Sequence, residues 1–110
     1  MSTWLSVRRR WQNLSTRWFP YRGMVCPDDD LPARMKPRVV YMLGMPVWRV
    51  AFICPCGCKE PVELCLMKEV RPHWQAETDD AGRITLHPSV WKKGGCRSHY
   101  FLREGRIFWV

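Results

Sequence analysis

Apolar residues recur along residues 3–18 at steps of three and four, which is the period of an amphipathic helix. This apolar stripe consists of Trp4, Val7, Trp11, Leu14 and Trp18. At about 100° per residue, these side chains fall within an arc of roughly 80°. Ser2 or Thr3 can cap the start of the helix, and Pro20 prevents its continuation. The pattern therefore predicts an N-terminal α-helix.

After the helix, several prolines interrupt residues 24–37, and from residue 38 the pattern becomes that of β-strands. Stretches rich in β-branched and aromatic residues alternate with turns that contain Gly, Pro and Asp. We predict strands at 38–43, 47–53, 62–67, 74–77, 83–87, 100–103 and 106–110. The sequence thus predicts a mainly β fold with three parts. They are a basic amphipathic helix in residues 1–23, a proline-rich connector in 24–37, and a small antiparallel β domain built from hairpins in 38–110.

Two groups of metal-binding residue types lie beside predicted strand ends. Cys54, Cys56 and Cys58 follow the second strand, and Cys96 and His99 precede the sixth. Two groups of sulfur and imidazole ligands are typical of tetrahedral zinc. Free thiols or a disulfide are the alternative, but cysteines two residues apart rarely bridge each other without strain. The sequence therefore predicts that residues 38–110 form a zinc-binding β domain, in which one zinc ion links the two groups of ligands.

Five candidate ligands compete for four positions around the ion. One solution takes two of the three early cysteines together with Cys96 and His99. The other takes Cys54, Cys56, Cys58 and Cys96, and leaves His99 as a hydrogen-bond donor or a surface residue. We favour a site that contains Cys56, Cys96 and His99, with Cys54 and Cys58 left open. Iron is the alternative metal, because thiolate-rich sites also suit it.

The charge is concentrated near the start of the chain. Residues 1–23 contain five arginines and no acid, which accounts for +5 of the formal charge of +8. The rest of the chain is only mildly basic, which weakens a nucleic-acid interpretation based on net charge. No apolar run has the length of a signal peptide or a transmembrane helix, so we expect a cytoplasmic protein. In that compartment, six cysteines indicate metal binding rather than disulfides.

Two surfaces are candidates for partner contacts. The tryptophan stripe can pack on its own domain, dock in a partner groove or lie on a membrane, of which the membrane is the least favoured. A basic stretch interleaved with aromatic residues suits single-stranded nucleic acid. The candidate residues are Trp4, Trp11 and Trp18 in the helix and Lys92, Lys93 and Arg97 beside the second metal-binding group.

Residues 47–110 resemble a family of small bacterial proteins of unknown function. Its signature is C-x-C-G-C, a Leu-rich strand, P-S-[IV], C-x-S-H-[YF] and a short hairpin that ends in an aromatic residue. The matching segments are Cys54-Pro-Cys56-Gly-Cys58, Leu64-Cys65-Leu66, Pro88-Ser89-Val90-Trp91, Cys96-Arg-Ser-His99-Tyr100 and Arg103-Glu-Gly-Arg106-Ile-Phe-Trp109. Two positions depart from the family pattern, because Lys59 stands where Gly is usual and Phe101 where Trp is common.

The resemblance implies a zinc-binding accessory protein encoded beside bacterial ubiquitin-like proteins and their activating and conjugating enzymes, in gene clusters similar to anti-phage defence islands. By analogy, the chain would be a structural-zinc protein-interaction module that acts as a ligase-like adaptor and binds a conjugating enzyme or the ubiquitin-like protein. The alternative is a basic zinc-ribbon-like nucleic-acid-binding protein. Because a cysteine-rich site is typical of structural zinc, we expect no enzymatic activity of the chain alone.

Overall fold

The structure is a computed structural model, and it describes residues 15–110. Within that range the chain is almost entirely β, with one short helical turn at residues 15–18. The strands are β1 (Arg22–Cys26), β2 (Val39–Gly44), β3 (Val47–Ile53), β4 (Pro61–Cys65), β5 (Gln75–Thr78), β6 (Ile84–Trp91), β7 (His99–Arg103) and β8 (Arg106–Trp109). The prediction of a mainly β fold is confirmed, and each predicted strand has a counterpart.

The strands form two four-stranded sheets, ordered β1-β2-β3-β4 and β5-β6-β7-β8. Neighbouring strands are antiparallel except β1 and β2, which run parallel. Strand β1 was not predicted, because residues 22–26 were expected to form the end of the basic helix and the start of the connector. Its side chains are mostly exposed, so it lacks the alternation that marks a half-buried strand.

The main core lies between the two sheets. Alternate side chains of each strand point inward, and Phe52, Tyr100, Leu102 and Ile107 are completely buried. A second, smaller cluster covers the opposite face of the first sheet, where Leu31 and Met35 of the connector pack on its strands. The connector therefore belongs to the packed domain.

The predicted N-terminal helix lies mostly outside the described residues, as do Trp4 and Trp11. Its described end is fixed to the domain. Arg38 Nη1 donates to the carbonyl oxygen of Phe19 at 2.7 Å, and the backbone N–H of Ile107 donates to Thr16 Oγ1 at 3.2 Å. Trp18 is 70% exposed, so residues 15–110 do not bury it. Within the same residues, no helix has the length and apolar character needed to cross a membrane.

Candidate active site and metal centre

Four cysteine sulfurs converge at one end of the two sheets. The Sγ atoms of Cys54, Cys56, Cys58 and Cys96 all lie within 4.8 Å of one another. Cys54 Sγ is 3.5 Å from Cys56 Sγ and 3.6 Å from Cys96 Sγ. Three of these residues occupy the β3–β4 loop and the fourth occupies the β6–β7 loop. The cluster therefore joins the first sheet to the second.

The β3–β4 loop turns tightly because two of its residues adopt left-handed backbone angles. The backbone N–H of Cys54 donates to the carbonyl oxygen of Glu60 at 2.9 Å and closes the loop. Gly57 has a φ of 94° and Lys59 a φ of 65°. Glycine adopts such angles without the steric cost that a Cβ brings. This explains why the resembled family usually has Gly where Lys59 stands.

The sulfur positions fit a single tetrahedral ion. Zinc–sulfur bonds of about 2.3 Å place tetrahedral ligand sulfurs about 3.8 Å apart. The two short sulfur–sulfur distances, 3.5 and 3.6 Å, are close to that value. A set of four thiolates is typical of zinc or of an iron–sulfur site. These four cysteines could therefore hold a metal ion.

Two of the thiols have pKa values shifted in opposite directions. Burial raises the pKa of Cys54 above its ordinary value. Burial also raises the pKa of Cys96, but hydrogen bonds from the Ser98 hydroxyl and backbone, together with those from the Cys56 and Cys54 thiols, outweigh it, and the pKa is lowered to about 6. A lowered pKa favours the thiolate, which is the form that binds metal.

His99 does not join the sulfur cluster. The four side chains that approach one another closely enough for a common ion are all cysteines, among the residues that the structure describes. Instead, His99 Nε2 lies 3.0 Å from Ser89 Oγ, within hydrogen-bonding distance. Both residues are half-buried. Of the five predicted metal ligands, the structure thus brings four together and places His99 beside a serine hydroxyl.

The register between β6 and β7 creates this Ser–His pair. Trp91 on β6 lies directly opposite His99 on β7. The β6–β7 register shifts between Leu86 and Val90. Beyond Ser89, the buried Val90 points to the core, so the side chains of Ser89, Trp91 and His99 lie on the outer face of the second sheet. The Trp91 and His99 rings stack, with centroids 4.9 Å apart and an angle of 11° between planes. The stack fixes the plane of the imidazole that meets Ser89.

No carboxylate completes a catalytic triad within the described part of the chain. Among residues 15–110, the only side-chain hydrogen bond of the His99 ring is the one to Ser89. Residues 1–14 contain no Asp or Glu in the sequence. The arrangement is therefore a serine–histidine dyad, in which the histidine is positioned by an aromatic ring.

The dyad and the sulfur cluster share one short segment of chain. Ser98, which immediately precedes His99, is only 3% exposed. Its Oγ lies 3.1 Å from Cys96 Sγ and 3.9 Å from Cys54 Sγ. Residues 96–99 therefore connect the sulfurs to the imidazole, so that a shift of the β6–β7 loop would move both.

The predicted basic surface borders the dyad. Lys92 forms an ion pair with Glu60 of the β3–β4 loop. The Lys93 ammonium lies 5.3 Å from the centre of the Trp91 ring, and Arg97 is exposed in the turn that follows Cys96. These cations therefore lie beside the site, and two of them already have intramolecular contacts.

The fold and the site define a class: a small two-sheet β protein with a four-cysteine centre next to a serine–histidine pair. A family model described as "Bacterial ubiquitination-like system serine protease (BubE)" matches residues 27–110, which is most of the chain. The chain belongs to this family. Neither a search of curated proteins nor a search of solved structures finds a match.

The family finding confirms one expectation and corrects another. The association with bacterial ubiquitin-like systems, which rested on a resemblance, is confirmed. The expectation of no enzymatic activity is wrong, because the family is described as a serine protease. The expectation rested on the cysteine-rich metal centre, which is typical of structural zinc, and Ser89 was not among the candidate residues.

Proposed function

We propose that this chain is a serine protease of a bacterial ubiquitination-like system, in which Ser89 is the nucleophile and His99 is the general base. The contact of 3.0 Å between Ser89 Oγ and His99 Nε2 is the observation that carries the proposal. A serine hydroxyl is a weak nucleophile at neutral pH, and an adjacent histidine base is the usual means of activating it. The description of the family supports the same chemistry.

The reaction follows from the atoms in contact. Ser89 Oγ attacks the carbonyl carbon of the scissile bond while His99 Nε2 accepts the hydroxyl proton. The imidazolium then returns this proton to the leaving group, and the acyl group stays on Ser89 Oγ. A water molecule, deprotonated by His99, attacks the acyl-enzyme and regenerates the free hydroxyl. In place of a carboxylate, the stacked Trp91 ring orients the imidazole throughout.

We propose zinc as the metal, held by Cys54, Cys56, Cys58 and Cys96. A set of four thiolates is typical of structural zinc, which keeps no position open for water. When bound, the ion would cross-link the β3–β4 loop to the β6–β7 loop, and the residues of the second loop would hold His99 against Ser89. In this proposal, the metal centre positions the dyad.

The natural substrate in this proposal is a ubiquitin-like protein, or a conjugate of one, from the same system. A ligase-like adaptor would bind the same proteins without cleaving a bond, so the two roles differ in their requirement for Ser89. The adaptor role predicts that Ser89→Ala leaves partner binding unchanged and that the protein has no turnover to lose. The protease role predicts that it removes turnover and preserves binding.

A fluorophosphonate probe tests the nucleophile without knowledge of the substrate. The Ser89 oxygen would form a bond to phosphorus and fluoride would leave, giving an adduct that mass spectrometry locates. We expect labelling at Ser89 that is absent in Ser89→Ala and falls by about 10²- to 10⁴-fold in His99→Ala. Thr78→Ala, which removes an exposed hydroxyl from β5, is the matched control and should label normally.

Cleavage is tested with the ubiquitin-like protein of the same system as precursor and as conjugate. Product masses from wild type and Ser89→Ala are compared, with melting temperatures measured to show that both are folded. Equal labelling and equal cleavage by folded wild type and Ser89→Ala would refute the proposal.

A further inference from the structure

A groove lies between β4 and β6, beside the dyad. It has a volume of about 280 Å³ and is lined by residues 61–64 and 90–92 together with Trp74. β4 is the last strand of the first sheet. β5 pairs with β6 only as far as His87, so within residues 15–110 the segment of β6 from Ser89 onward has no strand partner on that side. The groove thus separates two strand edges.

Both edges direct peptide groups into the groove. In the β3–β4 ladder, Leu66 N donates to the carbonyl oxygen of Trp48 and Cys54 N to that of Glu60. The antiparallel alternation of bonded pairs then turns the N–H and C=O of Glu63 away from β3. In the β6–β7 ladder, Lys92 N donates to the carbonyl oxygen of Ser98. The same alternation turns the peptide groups of Trp91 away from β7.

The two ends of the groove are defined by specific contacts. At one end, Trp74 spans the edges, because its backbone N–H donates to the carbonyl oxygen of Cys65 and its Nε1 to that of Ser89. At the other end, the ion pair between Lys92 and Glu60 joins the two sides. The length between them, from Ser89 to Lys92, corresponds to about 10 Å of strand.

We infer that this groove binds an extended peptide segment of the substrate as an added strand between β4 and β6. The inference deepens the proposed function by assigning the substrate a flexible, extended segment that carries an apolar side chain. Outward-turned peptide groups on both walls match the alternating donors and acceptors of one extended chain. The apolar lining from Leu64, Trp74 and Val90 accommodates its side chain. The bound segment ends next to Ser89, at the end of the groove that Trp74 closes.

The geometry also explains why the occupant is a single extended chain. Between the two closed ends, the β4 wall offers the outward peptide groups of Glu63 and the outward carbonyl of Pro61, and the β6 wall offers those of Trp91, so the groove pairs with about three residues. A space of about 280 Å³ is too small for a folded domain. A proline in the bound segment would remove an N–H that the groove pairs with, so the segment lacks proline where it faces Glu63 or Trp91.

The test measures binding rather than cleavage, using the full-length chain with Ser89→Ala. The probes are three fluorescein-labelled heptapeptides of Ser, Thr and Gly with a central Leu, Val or Phe, followed by fluorescence anisotropy. Glu63→Pro removes the outward N–H and places the proline ring in the groove. Glu63→Ala is the matched control, because both variants lose the Glu63 bridge to Arg49 and only one loses the N–H.

We expect at least one peptide to bind, with affinity lowered about tenfold or more by Glu63→Pro and changed less than about twofold by Glu63→Ala. Methylation of the backbone nitrogens of the bound peptide should weaken binding to the same extent. If Glu63→Pro does not fold, this methylated series on Ser89→Ala decides alone. Absence of binding by all three peptides at millimolar concentration, or equal binding to both Glu63 variants and to methylated peptides, would overturn the inference.

These outcomes are separable from the proposed function. Failure of the fluorophosphonate to label Ser89 would overturn the nucleophile and leave a peptide-binding groove intact. Labelling at Ser89 together with no peptide binding would overturn the groove and leave the nucleophile.

Discussion

Truncation of Trp91 tests whether an aromatic ring can replace the carboxylate of a triad. The indole is 57% exposed, so its removal deletes little core packing. Its main contact is the stack with His99, with ring centroids 4.9 Å apart. A stacked aromatic pair contributes about 0.5–1.5 kcal/mol beyond its buried area. If the whole of this stacking free energy serves to hold the imidazole in its reactive position, Trp91→Ala slows the reaction of Ser89 roughly two- to thirteen-fold.

The assay is the second-order rate constant for fluorophosphonate labelling of Ser89, because a small probe does not depend on the peptide groove. Trp91→Phe retains a ring and should recover most of the rate. Trp48→Ala, which removes another partly exposed indole that bonds to Asp29, should label at the wild-type rate. Melting temperatures of the variants should agree closely. Labelling of folded Trp91→Ala at the wild-type rate would refute the positioning role of the stack.

The remaining predictions concern the metal and the core. Purified protein should contain one zinc per chain by mass spectrometry. Cys54→Ser should lose the zinc and melt at lower temperature, whereas Cys65→Ser should retain it. Retention of zinc by both variants would disprove the site. Chelation of the metal should lower the Ser89 labelling rate together with near-ultraviolet circular dichroism, and full labelling of metal-free protein would contradict the proposed coupling. Leu102→Ala should cost about 2–5 kcal/mol of unfolding free energy in urea, and more than Phe101→Ala on the opposite face; equal losses would contradict the described core.

Sequence patterns predicted the strands well because most of them are half-buried and alternate. β4 shows this plainly, since Val62 and Leu64 face the core and Glu63 faces outward. β1 escaped prediction because Met24 and Val25 are exposed and no alternation marks the segment. Its position depends on parallel pairing with β2, which is a contact between distant parts of the chain that no local pattern reports.

The sequence predicted which residue types form the candidate site, but not which of them belong to the metal centre and which to the Ser–His pair. The spacing of Cys96 and His99 is that of paired metal ligands, so sequence alone grouped them together. Only the register of β6 against β7 shows that the imidazole meets Ser89. Ser89 lies in the P-S-[IV] motif, but a lone serine carries no nucleophile signature of its own. The signal that could have identified it is that the next motif along the chain, C-x-S-H-[YF], contains His99.

The short path between the sulfurs and the imidazole explains how so small a domain can hold the proposed catalytic pair in place. A dyad without a carboxylate depends on its neighbours to fix the histidine. Here those neighbours are Trp91 on one side and the segment that runs from Cys96 through buried Ser98 on the other. In a domain of this size the core alone gives modest stability, and a structural metal adds to it. In this interpretation, loss of any sulfur ligand impairs folding and reactivity together, whereas loss of Ser89 impairs reactivity alone. Metal-free protein that stays folded but labels slowly at Ser89 would distinguish a metal that positions the dyad from one that only stabilises the fold.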